Sequence, residues 1–266
     1  MTLEWIAIYL ALGAVVGFVA GLLGVGGGGI MVPALTSIFI AQGVSKDQVV
    51  HLALGTSMAC IVFTSIASLK AHQRNKAVLW LIVSRMAVGV LFGTFLATFV
   101  AAQLNSTYLA IFFSAFMGYV AFQAFFKNSN SSDAKPLTTT HMVASGTGIG
   151  AISALVSIGG GSLTVPYLTA KNIDIKKAIG TSAAVGLPIS IAGTIGYLLN
   201  GWQVEYHREW VFGFVYLPAV LCIATVSFFT APLGAKLAHS LPVATLKKLF
   251  AILLAALSIK MLMSVL

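Results

Sequence analysis

The chain has 266 residues, 59% of them hydrophobic and only 8% charged, against about 25% charged in an ordinary soluble domain. That is too little polar surface to cover a water-soluble globule, and it indicates an all-α polytopic membrane protein. The formal net charge of +9 would point to nucleic acid only if it were clustered, and its distribution reads better as a membrane-orientation signal.

In chain order the first half divides into five helical pieces, at about 3–24, 30–41, 51–69, 79–102 and 107–126, the longer ones sufficient for a hydrocarbon core of roughly 30 Å. The first opens with Glu4 and no basic residues ahead of it, so it reads as a retained membrane segment and not a cleaved signal peptide. It runs into "GLLGVGGGGIMVPAL", Gly21 to Leu35. Glycine inside a helix costs about 1 kcal/mol against alanine, so the succession Gly26 to Gly29 should end one helix and start another. The stretch "KNSNSSDAKPLTTT", 127–140, is polar, contains Pro136 and reads as a linker.

Beyond the linker the pattern returns, with pieces at about 141–157, 162–170, 178–199, 211–234 and 246–265. "ALVSIGGGSLTVPYL", Ala154 to Leu168, matches the first glycine stretch: Val25-Gly26-Gly27-Gly28 aligns with Ile158-Gly159-Gly160-Gly161, and Val32-Pro33 with Val165-Pro166. "ALGTS" (53–57) matches "AIGTS" (178–182), and "GTFLA" (93–97) resembles "GAKLA" (234–238). Three ordered matches indicate duplication. The expected organisation is a first membrane repeat over 1–126, a linker over 127–140 and a second repeat over 141–266. Each repeat has a glycine-broken first helical hairpin followed by three transmembrane helices.

Charge gives the orientation. The loop after the third piece carries Lys70, Arg74 and Lys76, with Arg85 just beyond, whereas its counterpart carries Glu205, Glu209 and only Arg208. The loop after the fourth piece is uncharged in the first half, and its counterpart region holds Lys236, Lys247 and Lys248. Cytoplasmic loops are the Lys/Arg-rich ones, so equivalent loops fall on opposite sides. The repeats are therefore expected to have inverted topology, which requires an odd number of crossings in each. Lys127, Lys135, Lys171, Lys176 and Lys177 join the basic side, against Asp133 and Asp174. Lys46 and Lys260 join the other side with Glu4, Asp47, Glu205 and Glu209. Ten crossings and six crossings plus two re-entrant hairpins both satisfy this parity.

Irregular backbone survives in a membrane only where it is buried in protein or lines a wet cavity. A helix starting after each break presents unpaired amides and a positive dipole end, without side chains to obstruct an anion. Two breaks related by a two-fold axis could meet near the midplane, a recognised layout for transporter substrate sites. The candidate substrate-binding residues are thus Gly26, Gly27, Gly28 and Gly29 in the first half and Gly159, Gly160, Gly161 and Ser162 in the second. The hydroxyls of Thr56, Ser57, Thr181 and Ser182 are candidates for the polar lining, weighed against back-bonding to the preceding turn. For Ser162 the alternative is a helix cap. Gly13, Gly17 and Gly21, and likewise Gly89 and Gly93, have the spacing of tight helix packing.

The remaining residues suggest bland roles. "GVGGGG" fits a dinucleotide fingerprint in letters only, since no strand or βαβ unit surrounds it. Cys60 and Cys222 read as core residues. His51 reads as an interfacial polar residue, His72, His207 and His239 as loop or interface residues, and His141 as a helix start. Arg85 and Lys260 would snorkel, and Trp5, Trp80, Trp202 and Trp210 would anchor helix ends. Neither an intramembrane carboxylate, a Walker motif, a catalytic constellation nor a metal-ligand cluster is recognisable. No enzyme activity, metal or cofactor is expected.

At "GLLGVGGGGIMVPAL", "ALGTS", "SALVSIGGGSLTVPYL" and "AIGTS" the chain resembles the TauE/SafE family of sulfite-exporter-like membrane proteins, over nearly its full length. The resemblance implies movement of sulfite, sulfoacetate or other small sulfonates across the bacterial cytoplasmic membrane. It carries the glycine runs, Pro33, Pro166 and the two Thr-Ser pairs over as pathway candidates. Gly29 stands where the second half has Ser162, so the half-sites are expected to be unequal. The expectation is a secondary transporter, an exporter by resemblance, of small anions. An anion channel or a non-catalytic subunit of a membrane complex is the alternative. The anion, the coupling ion, the direction and a homodimeric state stay open.

Overall fold

The computed structural model describes residues 2–24, 26–126, 138–204 and 209–265. Val25, Glu205, His207, Arg208 and residues 127–137 of the expected linker lie outside the described residues. Ten helices appear among those described: α1 (Leu3–Leu23), α2 (Gly28–Ala41), α3 (Lys46–Arg74), α4 (Trp80–Gln103), α5 (Ser106–Phe126), α6 (Thr139–Val156), α7 (Gly161–Thr169), α8 (Ile175–Asn200), α9 (Leu217–Ser240) and α10 (Val243–Val265). Six of them, α1, α3, α4, α5, α8 and α9, are long and apolar enough to cross a bilayer by themselves. With so much apolar side chain on the outer surface, from Leu81 and Phe92 to Phe229 and Met263, the chain is a multi-pass integral membrane protein.

Two helices differ from the expectation for identifiable reasons. The third helix starts earlier and ends later than 51–69. Ser45 caps it, its hydroxyl accepting the Asp47 amide at 3.4 Å, and its buried polar stripe of Ser65, Ser68 and His72 continues at helical spacing past Leu69. The fourth piece of the second half does not begin at 211. Val211–Phe212 and Val215–Tyr216 pair as a two-stranded antiparallel hairpin, β1 and β2. Gly213 turns it at φ 51°, and α9 starts after it with Pro218 in its first turn, where proline is at home.

The two halves interlock. The principal pairs are α1 with α9, α4 with α6, α5 with α10 and α3 with α8, each joining one half to the other. Close packing at glycine fixes helix direction. Methyl groups on Gly13, Gly17 and Gly21 would run into the chain at Ile223, Ser227 and Ala231 in that order, so α1 and α9 are parallel. Gly89 and Gly93 meet Val143 and Thr147, so α4 and α6 are parallel as well. These are the small-residue seams expected from the spacing. In contrast, Gly193 meets Met58 while Gly186 lies beside Ser65, so α3 and α8 are antiparallel. The pairs Thr56–Tyr216 and His72–His239 set α3 parallel to α9. Leu79–Thr181 and Thr98–Asn200 set α4 parallel to α8. Thus α1, α3 and α9 point one way, and α4, α6 and α8 the other.

The end where the first three finish and the other three begin carries Lys70, Arg74, Lys76, Lys171, Lys176, Lys177 and Lys236 against Asp174. The opposite end has Lys46 against Glu4, Asp47 and Glu209.

Candidate functional site

The two glycine breaks meet inside the bundle. Gly27 at φ 81° is the N-cap of α2 and Gly160 at φ 76° is the N-cap of α7. Both are in the left-handed region that glycine enters without steric cost. A methyl group on Gly26 would come within 3.0 Å of Gly159 Cα and 2.9 Å of Ile61 Cγ2. One on Gly28 would overlap the Ser157 carbonyl oxygen, and one on Gly27 would reach Val16 Cγ1 at 2.5 Å. Ile61 and Gly186, near the centres of α3 and α8, flank the junction. The glycines are therefore needed for chain-to-chain approach, and in this conformation the first break is closed by packing. Gly29 differs, since a methyl there would meet only the flexible tips of Met117 and Leu257.

Freed backbone groups at the first break find side-chain partners. Ser182 Oγ donates to Gly24 O at 3.0 Å and to Ile179 O at 2.9 Å. Thr64 Oγ1 donates to Gly26 O at 3.0 Å. The amides of Ile30 and Met31 both donate to Gly27 O at 3.1 Å.

The second break keeps the backbone but not the partners. Leu163 and Thr164 donate their amides to Gly160 O, as at the first break. However, Ile189 stands where α3 has Thr64, so no equivalent hydroxyl is supplied to Gly159 O. Around it, Ser65 Oγ, Ser162 Oγ and Thr164 Oγ1 are all buried without a hydrogen-bond partner. The second break is tightly packed too: a methyl built on Gly186 would lie 2.6 Å from Gly159 O and 3.1 Å from Ser65 Oγ, and one on Gly160 would lie 2.7 Å from Ile189 Cδ1 and 3.3 Å from Thr164 Oγ1. Gly161 and Ser162 form the first turn of α7, where amides lack an intrahelical acceptor. Ser162 is not the helix cap, because Gly160 occupies that position.

In the GTS motifs Ser182 makes the expected bond back to the preceding turn, at Ile179 O, but the threonines act elsewhere. Thr56 Oγ1 accepts the amide of Tyr216, the N-cap residue of α9, at 3.0 Å. Thr181 Oγ1 accepts the amide of Leu79, the N-cap residue of α4, at 3.0 Å. Each threonine thus satisfies the start of the fourth helix of the other half. The adjoining glycine lets that connection approach: a methyl on Gly180 would lie 2.7 Å from Ala77 O, and one on Gly55 would overlap Phe214 O. Ser57 Oγ is buried without a partner, and Ser157 Oγ instead donates to Leu54 O at 3.0 Å.

His72 and His239 are not loop residues. His72 is fully buried, its Nε2 3.0 Å from Gly21 O and its Nδ1 3.1 Å from His239 Nε2. The continuation of the buried stripe of α3 was the signal for it. His51 is also buried, with Nε2 3.1 Å from Ala101 O and its ring 5.1 Å from that of Phe214. A pocket of about 90 Å³ opens near the start of α3, lined by Ile40, Lys46, Asp47, Val49, Asn105, Ser106 and Thr107. None of the candidate substrate residues lines it. Among the described residues no group of histidine, cysteine, aspartate and glutamate could hold a metal ion.

Residues 9–261 match the family described as Sulfite exporter TauE/SafE. A probable membrane transporter protein of Haemophilus influenzae is 37% identical over 97% of this chain and 98% of its own. Another, of Bacillus subtilis, is 25% identical over 93% of each chain. One of Methanocaldococcus jannaschii is 27% identical over 86% of this chain and 84% of its own. No solved structure matches.

Proposed function

The chain belongs to the sulfite exporter TauE/SafE family and is a membrane transporter, not an enzyme; from that premise we propose that it is a secondary transporter of small anions of the sulfite or organosulfonate class across the bacterial cytoplasmic membrane. The observation that carries this reading is the asymmetric junction of the breaks. Three buried hydroxyls without partners belong to the surroundings of the second break: Ser65 Oγ stands beside Gly186, and Ser162 and Thr164 are in the first turn of α7 with its free amides. Leaving a buried hydroxyl unpaired costs about 1–3 kcal/mol, and a tetrahedral or trigonal oxyanion accepting from hydroxyls and amides would offset it. The positive end of the α7 dipole adds to the attraction.

On this reading the anion sits chiefly at the second break, and the candidate residues Gly159, Gly160, Gly161 and Ser162 contact it. The first-half glycines, Gly26 to Gly29, close the opposite wall. Ser182, which donates to Gly24 O, belongs to that wall, while Thr56 and Thr181 hold the frame. The antiparallel run of α3 and α8, and of α1 against α6, supports two repeats of inverted topology, with the lysine-rich end in the cytoplasm. Alternating access follows as a rocking of one repeat against the other, and the packed junction represents the closed state.

The test is flux in proteoliposomes. Ser65→Ala, Ser162→Ala and Thr164→Val together should lower exchange of labelled sulfite at least about tenfold, since about 1.4 kcal/mol of lost binding is a factor of ten. The melting temperature should hold or rise. Undiminished exchange of sulfite and of sulfonates by the triple variant would reject the site.

A further inference from the structure

The two halves make one further equivalent contact, and they make it with different chemistry. Toward its end, each third helix sends a side chain to a carbonyl in the last turns of its own first helix. In the second half Tyr197 OH donates to Ala154 O at 2.8 Å. In the first half His72 Nε2 lies 3.0 Å from Gly21 O, and Gly21 aligns with Ala154. The neighbour on the fourth helix differs as well: aligning "GTFLAT" with "GAKLAH" puts Thr98 opposite His239. A tyrosine–threonine position on one side is therefore a pair of imidazoles on the other, with ring centroids 5.1 Å apart.

The acceptors assign the protons. Gly21 O can only accept, so His72 Nε2 carries hydrogen. Neutral His72 Nδ1 is then an acceptor, and His239 Nε2–H donates to it across 3.1 Å. His239 Nδ1 is left as the basic nitrogen of the pair. A proton added there makes an imidazolium already hydrogen-bonded to a neutral imidazole, and transfer along that bond moves the charge inward without rearrangement. His239 is half-buried and His72 fully buried, so entry is from the basic end and the destination lies against α1, three residues before Gly24. The C-terminal ends of α1, α3 and α9 converge here, and their dipoles favour a cation.

The charged groups at this end are Lys70 and Arg74 on α3, Lys76 after it, Arg85 near the start of α4, Lys171 and the N-cap Asp174 before α8, Lys176 and Lys177 on α8, Lys236 on α9 and Lys248 near the start of α10. α1 contributes none, its ionisable side chain Glu4 being at the other end. Lys176 Nζ is committed to His239 O at 2.7 Å.

We propose that His72 and His239 are a proton-binding site through which proton uptake from the basic end is coupled to anion movement, the coupling resting on the transporter reading above. The bridge spans α1, α3 and α9, so its protonation acts on the helix that leads into the first break. The second half, built with tyrosine and threonine, holds no such proton.

Two measurements decide it. Ring ¹⁵N NMR of histidine-labelled protein in micelles, assigned with the single variants, should show the His72 and His239 rings changing protonation together over one shared pH interval. Independent titration, or none, overturns the site. In proteoliposomes, the ratio of pH-gradient-driven sulfite accumulation to sulfite exchange at equal pH should fall about tenfold in His72→Tyr/His239→Thr, which transplants the second half's pair and keeps a donor to Gly21 O. A ratio equal to wild type overturns the coupling. Should wild-type vesicles exchange no sulfite or sulfonate, the transport reading fails and the NMR titration alone decides the proton site.

Discussion

The first and second glycine breaks share a backbone and differ in how their polar groups are satisfied. At the first, Thr64 and Ser182 supply hydroxyls to Gly26 O and Gly24 O, and the packing leaves no room for a methyl on Gly26, Gly27 or Gly28. At the second, Ile189 replaces the threonine, while Ser65, Ser162 and Thr164 are buried without partners. Duplication thus preserves what the fold needs, the left-handed N-cap glycine and the close approach, and lets the surrounding donors diverge. On the function proposed above, the first break serves as a wall, and the hydroxyls at the second break, Ser65 of α3 among them, are the ones offered to a solute.

The largest effect that would break this comparison is at Gly28 against Gly29. Gly28→Ala should destabilise the protein by about 3 kcal/mol because backbone must move to clear Ser157 O. Gly29→Ala, facing only side-chain tips, should be neutral or stabilising by up to about 1 kcal/mol from helix propensity. Equal losses in denaturant unfolding would show that the first break is uniformly tight.

A smaller difference is expected between the two serines of the GTS motifs. Ser182→Ala removes the donor to Gly24 O and Ile179 O and should cost about 2 kcal/mol for the unpaired carbonyl. Ser57→Ala deletes a hydroxyl with no partner and should leave the melting temperature unchanged or raise it. A loss at Ser57 matching that at Ser182 would contradict the asymmetry.

The threonines sharpen the comparison from the other direction, because here the halves are alike. Thr56→Val and Thr181→Val each remove an acceptor for one helix-capping amide at 3.0 Å, worth about 1 kcal/mol each. Unfolding measurements should return the same cost for both, and a markedly larger effect of either would show that it does more than cap.

The sequence carried the helices and their number, because apolar periodicity and glycine clusters are properties of the chain itself, and its matched motifs gave the expectation of a duplication. It also carried the charge partition, since Lys and Arg concentrate in particular loops, and the small-residue seams of α1 and α4. It missed the β1–β2 hairpin, whose apolar residues read as helix until Gly213 and Pro218 are weighed. It read His72 and His239 as loop or interface residues, because a helix end was drawn where hydropathy fell and not where the buried stripe stopped.

What the sequence determined by itself is the class of molecule: a chain too apolar for water, folded as two matched sets of helices broken at the same glycines. Only the tertiary structure decided what those matched residues touch. The threonines of the GTS motifs reach across to the other half, the two breaks abut each other, and the hydroxyls of the second go unpaired. Those outcomes depend on which helix of one half lies against which helix of the other, a relation between residues more than a hundred positions apart that no local pattern encodes.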